Sequence, residues 1–92
     1  MLPPTVRRRV LVSGRVQGVF FRDQTVREAV ERGVAGYVRN LPDGRVEIVA
    51  EGPVNAVDDL IAWSEVGPPR AAVDDIEVID ETPEGLTDFT PA

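Results

Sequence analysis

The chain contains no cysteine and no histidine in its 92 residues. Without cysteine it can form no disulfide, no cysteine-ligated zinc site and no thiolate nucleophile. Without histidine it lacks the base of a Ser-His-Asp triad and the most common metal ligand in proteins. Any catalysis must therefore depend on arginine, amides, hydroxyls, carboxylates or the backbone, and we expect neither a metal nor a cofactor.

Lysine is absent as well, so the ten positive charges are all arginines, against 16 acidic residues and a net charge of −6. Such a chain lacks the general basic face with which nucleic-acid-binding proteins neutralise phosphates. No apolar run approaches the roughly 20 residues that span a bilayer, and the N-terminus shows no signal sequence. We therefore expect a cytoplasmic protein without nucleic-acid or membrane partners.

The length allows one domain, since typical domains have about 100–150 residues. Hydrophobic residues make up 42% of the chain and charged residues 28%, which is typical of a globular protein. We predict a single domain over residues 1–92, with its core at about 7–89. Its small size and acidity favour a monomer.

Six regular segments are predicted, because β-branched apolar runs and helix-spaced apolar residues are separated by glycine and proline breaks. The strands are predicted at 9–13, 34–41, 45–50 and 73–79, and the helices at 22–32 and from Pro53 to the break at 67–69. Alternation within 45–50 predicts one buried and one mostly solvated face. The polar tail after Pro83 offers only Leu86 and Phe89 as anchors.

The predicted order is β-α-β-β-α-β. A single sheet with both helices on one face is the economical way to bury two helical apolar stripes in a short chain. We therefore predict an α+β fold, the ferredoxin-like βαββαβ sandwich, with an antiparallel sheet. This fold hosts many unrelated activities, so the function must be argued from particular residues.

A glycine-containing loop joins the first strand to the first helix. The first N–H groups of a helix have no intrahelical partners, and the helix dipole adds partial positive charge at the same end. Gly14 and Gly18 allow tight turns, and Arg22 adds a planar fork of donors that matches two phosphate oxygens. Residues 17–22 could thus hold one phosphoryl group, although on spacing alone such a junction is more often a plain turn.

Two longer motifs resemble the signatures of the acylphosphatase family. The first is GRVQGVFFR at 14–22, and the second is GYVRNLPDGRVE at 36–47, followed by Gly52-Pro53 before the second helix. The resemblance covers roughly residues 7–80 and agrees with the predicted element order. Phe20 stands where many relatives have glycine, and the short segment after Phe89 suggests a truncated or weakly ordered last strand.

The resemblance implies hydrolysis of acyl phosphates, the mixed anhydrides of a carboxylic acid and phosphate, to carboxylate and inorganic phosphate. Arg22 would be the phosphate-binding catalytic residue, and Asn40 would orient the attacking water. Backbone N–H groups would complete the phosphate-binding loop at Gln17, Gly18, Val19, Phe20 and Phe21. Because a carboxylate leaves readily as an anion, this chemistry needs placement and charge neutralisation more than a strong acid or a metal.

Other interpretations remain open for these residues. Asn40 could cap the turn at 42–44 instead of serving catalysis. Arg15 could be a surface cation, and Thr25 could reach the pocket or support Arg22. The arginines at 7–9 could be solvated or could pair with acidic residues of a neighbouring strand. For the whole chain, the alternative is a non-catalytic phospho-ligand-binding or regulatory module, which would need the phosphate-binding loop but not Asn40.

Overall fold

The computed structural model describes residues 3–92, so Met1 and Leu2 of the predicted domain lie outside it. It contains seven elements: β1 (Thr5–Arg15), α1 (Phe21–Arg32), β2 (Ala35–Asn40), β3 (Val46–Pro53), α2 (Val54–Ser64), β4 (Ala72–Glu81) and β5 (Phe89–Pro91). The sheet order is β4-β1-β3-β2-β5. The first six elements form the predicted βαββαβ sandwich, with α1 and α2 packed against each other and on the sheet.

The predicted βαββαβ order did not contain the fifth strand, although the family resemblance suggested a truncated or weakly ordered last strand near Phe89. β5 pairs in parallel with β2, from Gly36 opposite Phe89 to Val38 opposite Pro91, so the sheet is mixed and not wholly antiparallel. The other strand pairs are antiparallel. Phe89 is buried, as expected of an anchor, whereas Leu86 is 37% exposed and anchors little. A strand of three residues with a proline has too little periodicity to be recognised from sequence.

Helix α1 ends at the glycine that the sequence indicated. Gly33 adopts a left-handed conformation (φ 68°), and its N–H donates to the carbonyl of Val30. The N–H of Val34 donates to the carbonyl of Ala29 at 2.9 Å, which completes a Schellman motif. This stop places β2 directly after the helix, and β2 lies between β3 and β5 in the sheet.

The main core lies between the helices and the sheet. It contains valines from the strands, the loops and α2 together with Phe21, Ile48 and Leu60. The rings of Phe21 and Trp63 pack with their centroids 5.5 Å apart, a tilted arrangement that aromatic pairs favour. Phe21, the first residue of α1, is thereby fixed in the core directly behind the glycine-containing loop.

The other face of β3 is also covered, and the predicted solvated face was wrong. Glu47 is only 5% exposed. Its carboxylate accepts hydrogen bonds from Arg9 Nη1 and Arg39 Nε, both at 2.6 Å. Glu81 of β4 accepts hydrogen bonds from Arg7 Nε and Arg9 Nε. Long side chains of neighbouring strands thus cover this face with their aliphatic stems and neutralise the buried carboxylates.

A second buried carboxylate on β3 holds the tail. Glu51 is 3% exposed and accepts the backbone N–H groups of Glu84, Gly85 and Leu86 at 2.7–2.8 Å. This attachment positions the segment that leads into β5, and the tail is therefore ordered by a carboxylate more than by Leu86. None of the helices within residues 3–92 is long and apolar enough to cross a bilayer.

Candidate active site

A pocket of about 280 Å³ lies where the β1–α1 loop meets the end of β2. Its lining consists of Val16, Gly18, Phe20, Phe21, Arg22, Asp23 and Asn40. The two residues predicted to be catalytic therefore lie on one pocket, although they belong to different elements. Of the predicted loop residues, Gly18, Phe20 and Phe21 line the pocket directly. Val19 is buried, and the Gln17 side chain bonds the carbonyl of Leu41.

The loop depends on two glycines for different reasons. Gly14 lies at a shift in the β1–β4 register, where a Cβ would approach the carbonyl oxygen of Ala72 to 2.2 Å. Gly18 has open space around it but a φ of 73°, a conformation that costs other residues about 1–2 kcal/mol. The first glycine thus permits close packing at the end of β1, and the second permits the backbone turn into the pocket.

The amino end of α1 is uncapped. The capping position is occupied by Phe20 in a left-handed conformation (φ 66°), and no side chain accepts a hydrogen bond from the first turn. The first four N–H groups of an α-helix lack intrahelical partners and carry the positive end of its dipole. Because these groups adjoin the pocket, its inner wall is suited to a small anion.

Arg22 adds the only full positive charge among the residues that line this pocket. Its side chain is exposed. Six other arginines form ion pairs with carboxylates, but within residues 3–92 Arg22 forms none. The guanidinium is therefore available to a ligand. Asp23, which the sequence reasoning did not consider, also lines the pocket and opposes the binding of an anion.

Asn40 is the last residue of β2, and its side chain is half-buried at the pocket. The turn that follows is held by other groups. Asp43 accepts hydrogen bonds from the backbone N–H of Arg45 and from its Nε, and the backbone N–H lowers the pKa of the Asp43 carboxyl. Within the described chain the Asn40 amide makes no hydrogen bond to that turn, which weighs against the capping interpretation.

Gln17 contributes a side-chain contact that the sequence reasoning missed. Its Nε2 donates to the carbonyl of Leu41 at 2.8 Å and to that of Arg45 at 2.9 Å. These bonds attach the loop before Arg22 to the β2–β3 hairpin, which carries Asn40. The signal was present in the sequence, since Gln17 is the one side-chain amide among small and apolar residues of the loop.

Two further residues with open roles lie beside the pocket and not in it. Arg15 Nη2 donates to the carbonyl of Arg70 at 3.0 Å and so contacts the turn before β4. Thr25 is fully buried, and its hydroxyl donates to the carbonyl of Phe21 one turn earlier. Neither side chain supports Arg22. Among residues 3–92, no three carboxylates gather as they would around a metal ion.

Comparison with known proteins agrees with the resemblance of the two sequence motifs. The family model named Acylphosphatase matches residues 8–91. An acylphosphatase of Rubrobacter xylanophilus is 59% identical over 88% of this chain and 74% of its own length. One of Gloeobacter violaceus is 58% identical over 91% of this chain and 90% of its own.

Solved structures extend the agreement to the backbone. The crystal structure of acylphosphatase from Bacillus subtilis superimposes with a TM-score of 0.92 at 43% sequence identity. The match covers 95% of this chain and 98% of that one. With its two helices on the sheet, a pocket at the β1–α1 loop and these matches over most of its length, the chain belongs to the acylphosphatase family.

Proposed function

We propose that this pocket is the site at which the protein hydrolyses acyl phosphates, with Arg22 and Asn40 as its catalytic residues. The activity follows from membership of the family, whose curated relatives carry that name at more than half identity. The observation that supports the residue assignment is the meeting of Arg22 and Asn40 at one uncapped helix end.

The phosphoryl group is held by charge and by hydrogen bonds. Arg22 directs its planar fork to two phosphoryl oxygens, and the backbone N–H groups of residues 17–21 bind the others. These donors face the oxygens whose charge is redistributed in the transition state, and they require no rearrangement when the reaction occurs. Gln17 keeps this loop at a constant position relative to Asn40.

Water is placed by the Asn40 amide opposite the leaving group. The new bond forms between the water oxygen and phosphorus, and the bond between phosphorus and the acyl oxygen breaks. The electron pair departs with the carboxylate, which is stable as an anion and needs no general acid. The proton of the water passes to a phosphoryl oxygen, which explains how a chain without histidine and cysteine can perform the reaction.

The alternative of a non-catalytic phospho-ligand-binding or regulatory module gains no support. Such a module needs the phosphate-binding loop but has no use for an amide placed at the phosphoryl group. A phosphomonoesterase is also disfavoured, because an alkoxide leaving group needs a metal or an acid. We further propose that the protein acts as a cytoplasmic monomer on a small-molecule substrate, a proposal supported by its small size, its acidity and its lack of cysteine.

The test is the release of inorganic phosphate from benzoyl phosphate in the presence of excess chelator. We expect turnover that is unchanged by the chelator, because the proposed chemistry uses only side chains and backbone. Loss of turnover that is restored by a divalent metal would contradict the proposed mechanism. Absence of turnover under all conditions, with phosphate still bound, would favour the binding module.

A further inference from the structure

A second groove, of about 340 Å³, adjoins the phosphate pocket. It is lined by Val19, Phe20, Asp23, Gln24, Arg27, Pro68, Pro69 and Arg70. Phe20 and Asp23 line both cavities, so a ligand held in the pocket by its phosphoryl group extends directly towards the groove. Neither Arg22 nor Asn40 lies in the groove.

The ring of Phe20 separates the two cavities. Phe20 is 66% exposed and is the only described non-glycine residue with a positive φ. A bulky residue in this conformation is strained, and here the strain is not offset by burial of the ring in the core. The backbone thus holds an apolar aromatic surface towards solvent at the place where a substrate leaves the phosphate pocket.

The opposite wall is preformed. It consists of the turn at 67–71, in which Ala71 donates its N–H to the carbonyl of Pro68. Gly67 packs so closely that a Cβ there would lie 2.6 Å from the Phe21 ring, and Arg15 binds the carbonyl of Arg70 from the other side. Two prolines of this turn line the groove, Pro69 exposed and Pro68 buried, and they give it a rigid apolar wall.

The charges around the groove differ from those elsewhere in this acidic protein. Six of the ten arginines form ion pairs with carboxylates: Arg7, Arg8, Arg9, Arg32, Arg39 and Arg45. Among residues 3–92 the remaining four, Arg15, Arg22, Arg27 and Arg70, have no carboxylate partner within 4.0 Å. All four lie at the pocket, in the groove or against its wall.

We infer that this groove binds the acyl group of the substrate and favours acyl phosphates whose acyl group carries a second negative charge. The inference rests on the proposed function and extends it to the substrate class. The ring of Phe20 and the two prolines contact the hydrocarbon next to the anhydride. Arg27 and Arg70 bind an anionic group at its far end, beyond the reach of Arg22.

The experiment compares three substrates: acetyl phosphate, benzoyl phosphate and 4-carboxybenzoyl phosphate. In the double variant Arg27→Gln/Arg70→Gln, kcat/KM for the carboxylated substrate should fall by about tenfold, because solvent-accessible hydrogen bonds to a charged group are lost. Its kcat/KM for acetyl phosphate should stay within about twofold of the original protein. Arg32→Gln removes the same kind of charge from α1 away from the groove and should change none of the three.

Phe20→Gly tests the apolar wall separately. The ratio of kcat/KM for benzoyl phosphate to that for acetyl phosphate should fall about fivefold, since the ring contact is lost for one substrate only. Leu86→Ala, which removes an exposed apolar side chain elsewhere, should leave this ratio unchanged. Equal losses on all substrates in both groove variants would overturn the inference, as would no loss specific to the carboxylated substrate.

Binding of non-hydrolysable analogues separates this inference from the proposed function. Calorimetry with benzoylphosphonate and 4-carboxybenzoylphosphonate should show tighter binding of the carboxylated compound, and the double arginine variant should remove the difference. If the protein binds both analogues with this preference but hydrolyses no acyl phosphate, the proposed function fails and the groove stands. If it hydrolyses all three substrates but binds both analogues equally well, the groove fails and the function stands.

Discussion

Arginine serves two purposes in two regions of this molecule. On the sheet face away from the helices, Arg7 and Arg9 are held between the buried carboxylates of β3 and the half-buried Glu81 of β4. At the end of the sheet where α1 begins, Arg22, Arg27 and Arg70 have no carboxylate partner within residues 3–92. The paired arginines hold neighbouring strands together, whereas the arginines without a carboxylate partner are available to an anionic ligand.

Of the substitutions in the two regions, removal of Arg22 should produce the largest loss of activity. Arg22→Ala is expected to lower kcat/KM for benzoyl phosphate by at least about 10²–10³, or roughly 3–4 kcal/mol of transition-state stabilisation, with little change in Tm. Arg22→Lys should restore little, because lysine keeps the charge but loses the two-pronged geometry. Arg9→Ala is the counterpart on the paired face and should reduce stability while the folded protein stays active. Near-native activity in Arg22→Lys would mean that a point charge suffices.

Asn40→Ala distinguishes a catalytic role of Asn40 from a structural one. Turnover should fall by about 10², since misplacement of a reacting group has costs of that order, while phosphate affinity stays within a few-fold. Tm should change little because Asp43 and not Asn40 holds the following turn. kcat, phosphate affinity and Tm are measured on one sample. An active but destabilised variant would return Asn40 to the role of a turn cap.

On the paired face, Glu47→Gln should affect stability and spare catalysis. The substitution leaves Arg39 without a carboxylate partner and leaves Arg9 with Glu81 alone. We expect a loss of about 2–3 kcal/mol in the free energy of unfolding. Urea denaturation measures this loss. Glu31→Gln, on an exposed position of α1, is the matched control and should be neutral. A neutral Glu47→Gln would show that the ion pairs add no net stability.

Acid should weaken the fold through the buried carboxyls of β3. Burial alone would raise the pKa of Glu47, but the hydrogen bonds from Arg39 and Arg9 outweigh it and lower the pKa. Burial would likewise raise the pKa of Glu51, but hydrogen bonds from the backbone N–H groups of Glu84, Leu86 and Gly85 outweigh it and lower the pKa. A carboxyl with a lowered folded-state pKa stabilises the fold above its unfolded pKa of about 4.3. This contribution is lost as pH falls through the folded value.

Stability measured by urea denaturation should therefore be level above about pH 5 and should decline as the pH falls further. Glu47→Gln should show a shallower decline, because one of the contributing carboxyls has been removed. Equal slopes for the two proteins would exclude Glu47 as a source of the acid sensitivity.

Phe20→Gly should give the smallest change in stability, and it should stabilise the protein where the other substitutions destabilise it. Glycine adopts a φ of 66° without strain, and the exposed ring loses little packing, so we expect a gain of about 0.5–1 kcal/mol in unfolding free energy. Urea denaturation again provides the measurement. A loss of stability would indicate that the ring packs usefully in the free protein and is not held ready for a ligand.

Most of the fold could be predicted from local patterns. The helix stop at Gly33 was visible because a left-handed glycine after a helical stripe is a short-range signal. The resemblance of the two motifs likewise led to Arg22 and Asn40, since both lie within contiguous runs. The short strand β5 and the burial of Glu47 were not predictable in this way, because each depends on partners far along the chain.

The sequence by itself determined the order of the first six elements, the absence of histidine and cysteine chemistry, and the family. Only the tertiary structure decided which arginines are paired, because the bond between Arg7 and Glu81 depends on the β1–β4 register. It also decided that Phe20 faces the turn at 67–71 across a groove. Such contacts join residues that no local pattern relates, and they form only when strand order and helix packing bring them within the reach of a side chain.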